Sequence, residues 1–289
     1  MEFGLFFLLG GCISILSGFF GVGGGFILTP ILMLIGFSPI EAITTSLLFT
    51  IGTSISGITA HFRLKNILWK EGLILGLSGM GATQIARPFV LFLENRGWDE
   101  VAIPIFYIIL LSYFAVTMFK QGKKQQANEQ SSESSPSVIQ MILIGLFAGF
   151  ISTTLGVGGG FIIVPLSIAF LRIMPKKAVG TSLFAVLLIV SVGFLSYAFT
   201  VTIDYRIGLL LVAGGLIGSQ FGARLTRFFE NKEISMMLGC LYIATLTSVA
   251  LKLFNLSYVG LTLIGLFVLF FFIRAIMKMR MAKSKVTDN

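Results

Sequence analysis

The chain says one thing twice. Gly21-Val22-Gly23-Gly24-Gly25-Phe26-Ile27 returns, residue for residue, as Gly156-Val157-Gly158-Gly159-Gly160-Phe161-Ile162. Pro30 answers Pro165, Thr45-Ser46 answers Thr181-Ser182, Gly72-Leu73 answers Gly208-Leu209, Gln84 answers Gln220, and Glu94-Asn95 answers Glu230-Asn231. The offset is 135 residues at the glycines and 136 from Thr45 onward. Whatever this chain folds into must therefore hold two equivalent units, each interrupted by a glycine block. Every Gly costs a helix interior about 1 kcal/mol relative to Ala, so both blocks read as helix breaks.

The units lie in a membrane. Hydrophobic residues make up 56% of the chain and charged residues 11%, where a soluble domain carries about 25% charged residues. Apolar stretches of about 20 residues, long enough to span a bilayer core, recur along almost the whole chain. The formal charge of +9 does not mark a nucleic-acid binder. Its Lys and Arg sit in short loops and in the tail, as the positive-inside rule requires, and no basic face of a soluble module is present. Residues 1–20 lack a basic n-region and a cleavage site, so the first segment is read as retained. Cys12 and Cys240 fall in apolar stretches and suggest neither a disulfide framework nor a metal site.

The expected fold is an all-α polytopic membrane protein. Residues 1–120 form the first transmembrane repeat, and residues 121–137 a polar, low-complexity linker that cannot bury apolar area. Residues 138–254 form the second repeat, 255–278 an extra transmembrane helix, and 279–289 a basic tail. Each repeat opens with a hairpin, 3–36 or 138–171, broken at its glycines. Spans follow near 42–61, 72–93 and 101–119, then near 178–199, 207–229 and 234–251, with the unpaired one near 257–276. The second arm of each hairpin is short and carries an early proline. It fits either a thin span or a re-entrant half.

Loop charges set the orientation. Residues 36–41 have no Lys or Arg, whereas their partner 172–177 has Arg172, Lys176 and Lys177. Residues 62–71 have Arg63, Lys65 and Lys70, whereas their partner 198–207 has Arg206. Equivalent loops thus lie on opposite sides, and three single spans after each hairpin invert the second copy. This predicts an inverted-topology repeat about an axis in the membrane plane, a construction of secondary transporters. The linker and tail read as cytoplasmic and the amino terminus as outside.

The glycine blocks Gly21, Gly23, Gly24, Gly25 and Gly156, Gly158, Gly159, Gly160 are the first candidate site. A broken helix exposes N–H groups at the start of its second half, where the dipole favours an anion. Two such ends facing each other would make an electropositive cradle; the alternative is close helix packing through small residues. A nucleotide P-loop is excluded, since neither block is followed by Lys-Ser/Thr. Thr45, Ser46, Thr181 and Ser182 can donate to an oxyanion or bond back to their own helices. Gln84 and Gln220, among small residues, either join helices or bind ligand. Arg87 and Arg224 suit tetrahedral oxyanions, yet both sit near span ends where such side chains snorkel. His61 is read as an interfacial histidine. Glu41, Glu71, Glu94, Asp204 and Glu230 fall at span ends, so an acid-based cation site has little support. No paired carboxylates, metal cluster or nucleophile–base pair points to an enzyme.

Gly18 to Pro30 and Leu155 to Pro165, with Ala42-Ile43-Thr44-Thr45-Ser46-Leu47 and Ala178-Val179-Gly180-Thr181-Ser182-Leu183 behind them, resemble the sulfite exporter TauE/SafE family of membrane transporters. The resemblance spans about residues 3–275. It implies a multi-pass carrier in the cytoplasmic membrane, with sulfite, sulfoacetate or another small sulfur-containing anion as substrate. It departs from a simple pattern at Arg87-Pro88, where the second copy has Ala223-Arg224. The expected function is alternating-access transport of such an anion, with no cofactor and no metal. The expected partners are the anion and the lipid bilayer, and assembly into a homo-oligomer is left open. An anion channel, a membrane-embedded enzyme and a cation carrier are the competing readings.

Overall fold

The computed structural model describes residues 2–124, 137–199, 201 and 203–287. Among these residues all regular structure is helical, joined by short loops and breaks, and the α-helices run in the order α1 Glu2–Phe20, α2 Gly25–Leu34, α3 Pro39–Arg63, α4 Trp69–Asn95, α5 Asp99–Lys124, α6 Val138–Leu155, α7 Gly160–Ala169, α8 Pro175–Ala198, α9 Tyr205–Leu225, α10 Asn231–Leu253 and α11 Ser257–Thr287. Seven of them, α3, α5, α6, α8, α9, α10 and α11, are long and apolar enough to cross a membrane. The expected span at 72–93 exists as α4, which at 27 residues is long enough but is not among those seven. Gly72, Gly76, Ser78, Gly79, Gly81, Thr83 and Gln84 dilute its apolar content. Most of the linker expected at 121–137 lies outside the described residues; its start continues α5 and Ser137 is the N-cap of α6. The last helix does not stop at 276 but runs on to Thr287, because Ile276–Val286 contains no Gly or Pro to end it.

Local chemistry fixes the starts of the helices. Ser38 and Glu41 form a capping box ahead of α3, with Pro39 in its first turn. Asp204 accepts the Arg206 and Ile207 N–H groups at the start of α9, and Glu230 and Glu233 form the box of α10. Span-end acids thus serve as caps. The short arms α2 and α7 have ten residues each, about 15 Å of helix against a bilayer core of about 30 Å. Neither crosses alone. All ten residues of α2 and nine of α7 are buried, so protein rather than lipid surrounds these half-length elements.

Packing is reciprocal between the copies. α1 lies on α9 as α6 lies on α4; α3 meets α9 as α8 meets α4; α2 packs on α3 as α7 packs on α8. α3 and α8 touch each other, as do α5 and α10. Small residues make the first two seams. Gly214, Gly218 and Gly222 recur every fourth position of α9, and a β-carbon on any of them would strike α1 backbone at Phe7, Gly11 or Ile15. On α6, a β-carbon on Gly145 or Gly149 would strike α4 backbone at Leu75 or Gly79. Lipid tails are as apolar as Leu, so such close approach, rather than burial from water, holds these helices together.

Several contacts fasten the unpaired α11, among them a bond from the Ser248 hydroxyl of α10 to the Gly260 carbonyl at 2.8 Å. Phe271 packs edge-on against Phe19, 5.0 Å between ring centres, and Glu233 pairs with Lys278 at 2.7 Å.

Prolines in the half-helices leave carbonyls to be satisfied. Pro165 has no N–H for the Phe161 carbonyl four residues before it. The Tyr242 hydroxyl supplies the bond at 2.7 Å, fully buried. Tyr242→Phe should therefore lower stability by about 1–3 kcal/mol, the cost of a buried unpaired carbonyl. In a Pro165→Ala background, where the helix regains its own N–H, the same change should cost clearly less. Thermal unfolding in detergent of the two single variants and the double variant checks this; equal losses in both backgrounds would refute the assignment.

Candidate functional site

Both glycine blocks are wholly buried, and they meet. A β-carbon on Gly160 would lie 2.5 Å from the Gly21 carbonyl oxygen, and one on Gly25 would strike the Gly156 carbonyl oxygen. One on Gly23 would come within 3.9 Å of Gly158 Cα. Gly24 and Gly159, at φ 80° and 75°, are the N-caps of α2 and α7. Gly23 and Gly158, at φ 82° and 80°, hold the same left-handed backbone. The two half-helices thus start from one shared, solvent-free junction. The first helical bonds run from Ile27 and Leu28 to the Gly24 carbonyl and from Ile162 and Ile163 to the Gly159 carbonyl, so the N–H groups of Gly25, Phe26, Gly160 and Phe161 precede them at the positive end of the dipole. Phe26 and Phe161, the first side chains beyond the breaks, stack on each other at 6.1 Å with 8° between planes.

The carbonyl oxygens of the junction are engaged by hydroxyls. Thr29 Oγ1 donates to Gly156 O at 3.1 Å, Thr53 Oγ1 to Gly23 O at 2.9 Å, and Ser182 Oγ to Gly21 O. The Thr29 and Ser182 bonds cross from one copy to the other, so each break is tied by its opposite number. Ser182 is therefore spent on backbone, including the Val179 carbonyl at 2.9 Å. Thr181 Oγ1 accepts the Leu68 N–H at 2.9 Å and joins α8 to the start of α4. Thr45 is buried beside Ser46 on α3.

A second set of hydroxyls is fully buried with no hydrogen-bond partner: Ser17, Ser46, Thr50, Ser54, Ser152, Thr153, and, on α10, Ser235 and Thr245. Native interiors keep few such groups, since each costs about 1–3 kcal/mol. Three of them border the glycines. Ser17 Oγ lies 3.4 Å from where a Gly24 β-carbon would sit, Ser152 Oγ 3.6 Å from that of Gly159, and Thr50 Oγ1 2.8 Å from that of Gly25 and 3.4 Å from that of Gly158. Sequence reading passed over all three. Ser17 and Ser152 each stand four residues ahead of their block, at the same 135-residue offset, so the repeat itself held the signal. Thr50 has Val186 as its counterpart, and only the fold reveals it.

The glutamines and arginines lie elsewhere. Gln84 and Arg87 line an open cavity of about 330 Å³ with Val192, Leu195, Ser196 and Phe199. Val186, whose side chain touches the junction, is six to ten residues away from Val192 and Ser196 along α8, about 9–15 Å of helix. Gln220 is half-buried on α9 and Arg224 is exposed in its last turn. The structure does not bring these four side chains to the glycines.

His61 lies in the last turn of α3, as a span-end residue, and is fully buried in protein. Its Nε2 lies 2.9 Å from the Gly18 carbonyl oxygen, which can only accept, and Asn66 Nδ2 lies 3.4 Å from its Nδ1. Its repeat counterpart is Tyr197, whose hydroxyl donates to the Thr153 carbonyl, the counterpart of Gly18. Histidine and tyrosine thus do one structural task at one repeat position.

The profile of the family described as sulfite exporter TauE/SafE matches residues 6–251. Among curated proteins, the chain is 27% identical to "Probable membrane transporter protein YunE" of Bacillus subtilis, covering 82% of this chain and 93% of that one. It is 29% identical to "Probable membrane transporter protein MJ0441" of Methanocaldococcus jannaschii, over 81% and 90% of the two chains. It is 32% identical to a "Probable membrane transporter protein" of Haemophilus influenzae, over 78% and 84%. No solved structure matches the chain.

Proposed function

Since the chain belongs to the sulfite exporter TauE/SafE family, a family of multi-pass membrane transporters rather than enzymes, we propose that it carries a small sulfur-containing anion by alternating access. Sulfite, sulfoacetate and related organosulfonates are the candidate substrates, and the cytoplasmic membrane is the proposed location. The observation that carries this reading is the junction: two half-helix N-termini starting together, with unpartnered hydroxyls of Ser17, Thr50 and Ser152 beside them. Donors without acceptors suit an oxyanion, which has only acceptors to offer. In this reading the glycine-block N–H groups bind the anion, and Ser46 is the nearby hydroxyl from the Thr-Ser pairs that stays unspent. Gln84 and Arg87 attract anions at an entrance, with Gln220 and Arg224 in the corresponding region of the other copy.

The reciprocal packing supports an inverted-topology repeat, in which a pseudo-twofold axis in the membrane plane passes near the meeting breaks. That axis would put the junction near the bilayer midplane, with the linker and tail cytoplasmic. Because the junction is buried, exchange with either side requires one copy to shift against the other.

Proteoliposomes loaded with unlabelled anion and exposed to labelled anion test the carrier, since only a carrier gives transient counterflow. Ser17→Ala combined with Ser152→Ala should reduce counterflow at least about tenfold, because a hydrogen bond to a charged group contributes about 1.5–3 kcal/mol. The same pair should leave the unfolding midpoint unchanged or raised, as neither hydroxyl has a protein partner. Ser182→Ala should instead lower that midpoint, having lost its bond to Gly21. Unimpaired counterflow in the double variant would remove these hydroxyls from the site.

A further inference from the structure

The charge at the junction is small and countable. Among the described residues, the buried polar side chains are Ser and Thr hydroxyls, the hydroxyls of Tyr107, Tyr197 and Tyr242, and His61; no Lys or Arg is among them. The His61 ring gives Nε2–H to Gly18 and receives the Asn66 amide at Nδ1, the pattern of the neutral tautomer. Arg87 lines the cavity on α4 and α8, where its charge acts on Tyr197, whose hydroxyl bonds the Thr153 carbonyl, and Arg224 is exposed. What remains is dipolar. Each of the two helix N-termini is worth about half an elementary charge, together about one at most, because α1 and α6 end at the same glycines and their last carbonyls oppose it. The hydroxyls of Thr29, Thr53 and Ser182 bind the carbonyls of Gly156, Gly23 and Gly21, which blunts their opposing negative ends. The unpartnered hydroxyls of Ser17, Thr50 and Ser152 add donors without adding charge.

From this we infer that the site selects singly charged oxyanions, alkanesulfonates and hydrogensulfite, over doubly charged ones such as sulfate, sulfite dianion and sulfoacetate. The inference rests on the reading that the glycine junction binds the anion. One negative charge is matched by the two helix ends. A second would stand in the protein interior without a counter-charge, where a low dielectric magnifies the penalty. Substrate charge, rather than size, is then the first criterion of the site. Methanesulfonate and sulfate make the matched pair, since both are tetrahedral about sulfur and differ in a methyl group against an oxygen anion.

The full-length protein in proteoliposomes, at neutral pH, is assayed for counterflow of labelled methanesulfonate, sulfate and sulfite, each against its own unlabelled pool, with protein-free vesicles subtracted. Methanesulfonate should exchange at least about tenfold faster than sulfate, as expected for one uncompensated charge in a poorly polarisable site. Sulfate exchanging as fast as methanesulfonate or while methanesulfonate does not, or sulfite exchanging faster as the pH is raised and the dianion replaces hydrogensulfite, overturns the charge rule and leaves the carrier standing. None of the three exchanging above protein-free vesicles overturns the carrier itself.

Discussion

Gly23→Val and Gly158→Val are expected to abolish anion counterflow while the protein still inserts and runs as a single species in detergent. Both positions have φ near 80°, where a β-branched residue is an outlier and strain amounts to about 1–3 kcal/mol. A β-carbon at either would also lie 2.7 Å from Thr50 Cγ2 and within 3.4 Å of Val186 Cγ1. These obstacles are side chains, so the core can give way, at about 1–3 kcal/mol for overpacking. Stabilities of about 5–15 kcal/mol absorb a loss of that size. The junction does not, because the displaced Thr50 hydroxyl and the first-turn N–H groups are the proposed ligands. Gly36→Ala and Gly97→Ala are the controls: φ is 104° and 66° there, with open space around the added carbon. They should carry similar backbone strain and near-normal counterflow. Normal counterflow in both junction variants would refute the cradle.

Gly222→Leu should fail earlier, at folding. A β-carbon there would strike the Ile15 carbonyl oxygen of α1 and lie 2.9 Å from the Phe19 nitrogen. These are backbone atoms, which cannot rotate aside. The α1–α9 seam would have to open along its length, and close approach is what holds it. Gly149→Leu tests the reciprocal seam, where the Gly79 backbone stands in the way. Both variants should aggregate or be degraded, with little monodisperse protein after size exclusion. A Gly222→Leu protein that folds with near-normal thermal stability would show that the seam is looser than its glycines require. The two experiments separate two uses of glycine in one chain: Gly23 and Gly158, walled by side chains, at the break proposed to bind, and a backbone-walled stripe that serves assembly.

Much of this architecture was readable from local sequence. The glycine blocks stop α1 and α6 where expected, because four glycines in five residues act within one turn of helix. Ser38-Pro39-Ile40-Glu41 marks the start of α3 through contacts three residues apart, a local signal that apolarity, which points to a span from about 42, does not register. The end of α11 was misjudged because apolarity stops at the membrane edge, whereas helix propensity continues through Met, Ala and Lys. The length of the hairpin arms could be read, but whether protein would surround them could not.

The site divides in the same way. Sequence alone determined that two glycine-broken units exist in a membrane chain, since a repeat and a helix break are properties of neighbouring residues. Only the tertiary structure decided which hydroxyls are free. Thr29 meets Gly156 across 127 residues, and Ser182 meets Gly21 across 161. Those bonds consume the hydroxyls of Thr29 and Ser182 and leave those of Ser17, Thr50 and Ser152 unspent. Likewise His61 looks like a surface group until Gly18, 43 residues earlier, is seen to hold it. A hydrogen bond is set by where an acceptor lies in space, and in this protein the deciding acceptors lie in distant stretches of the chain.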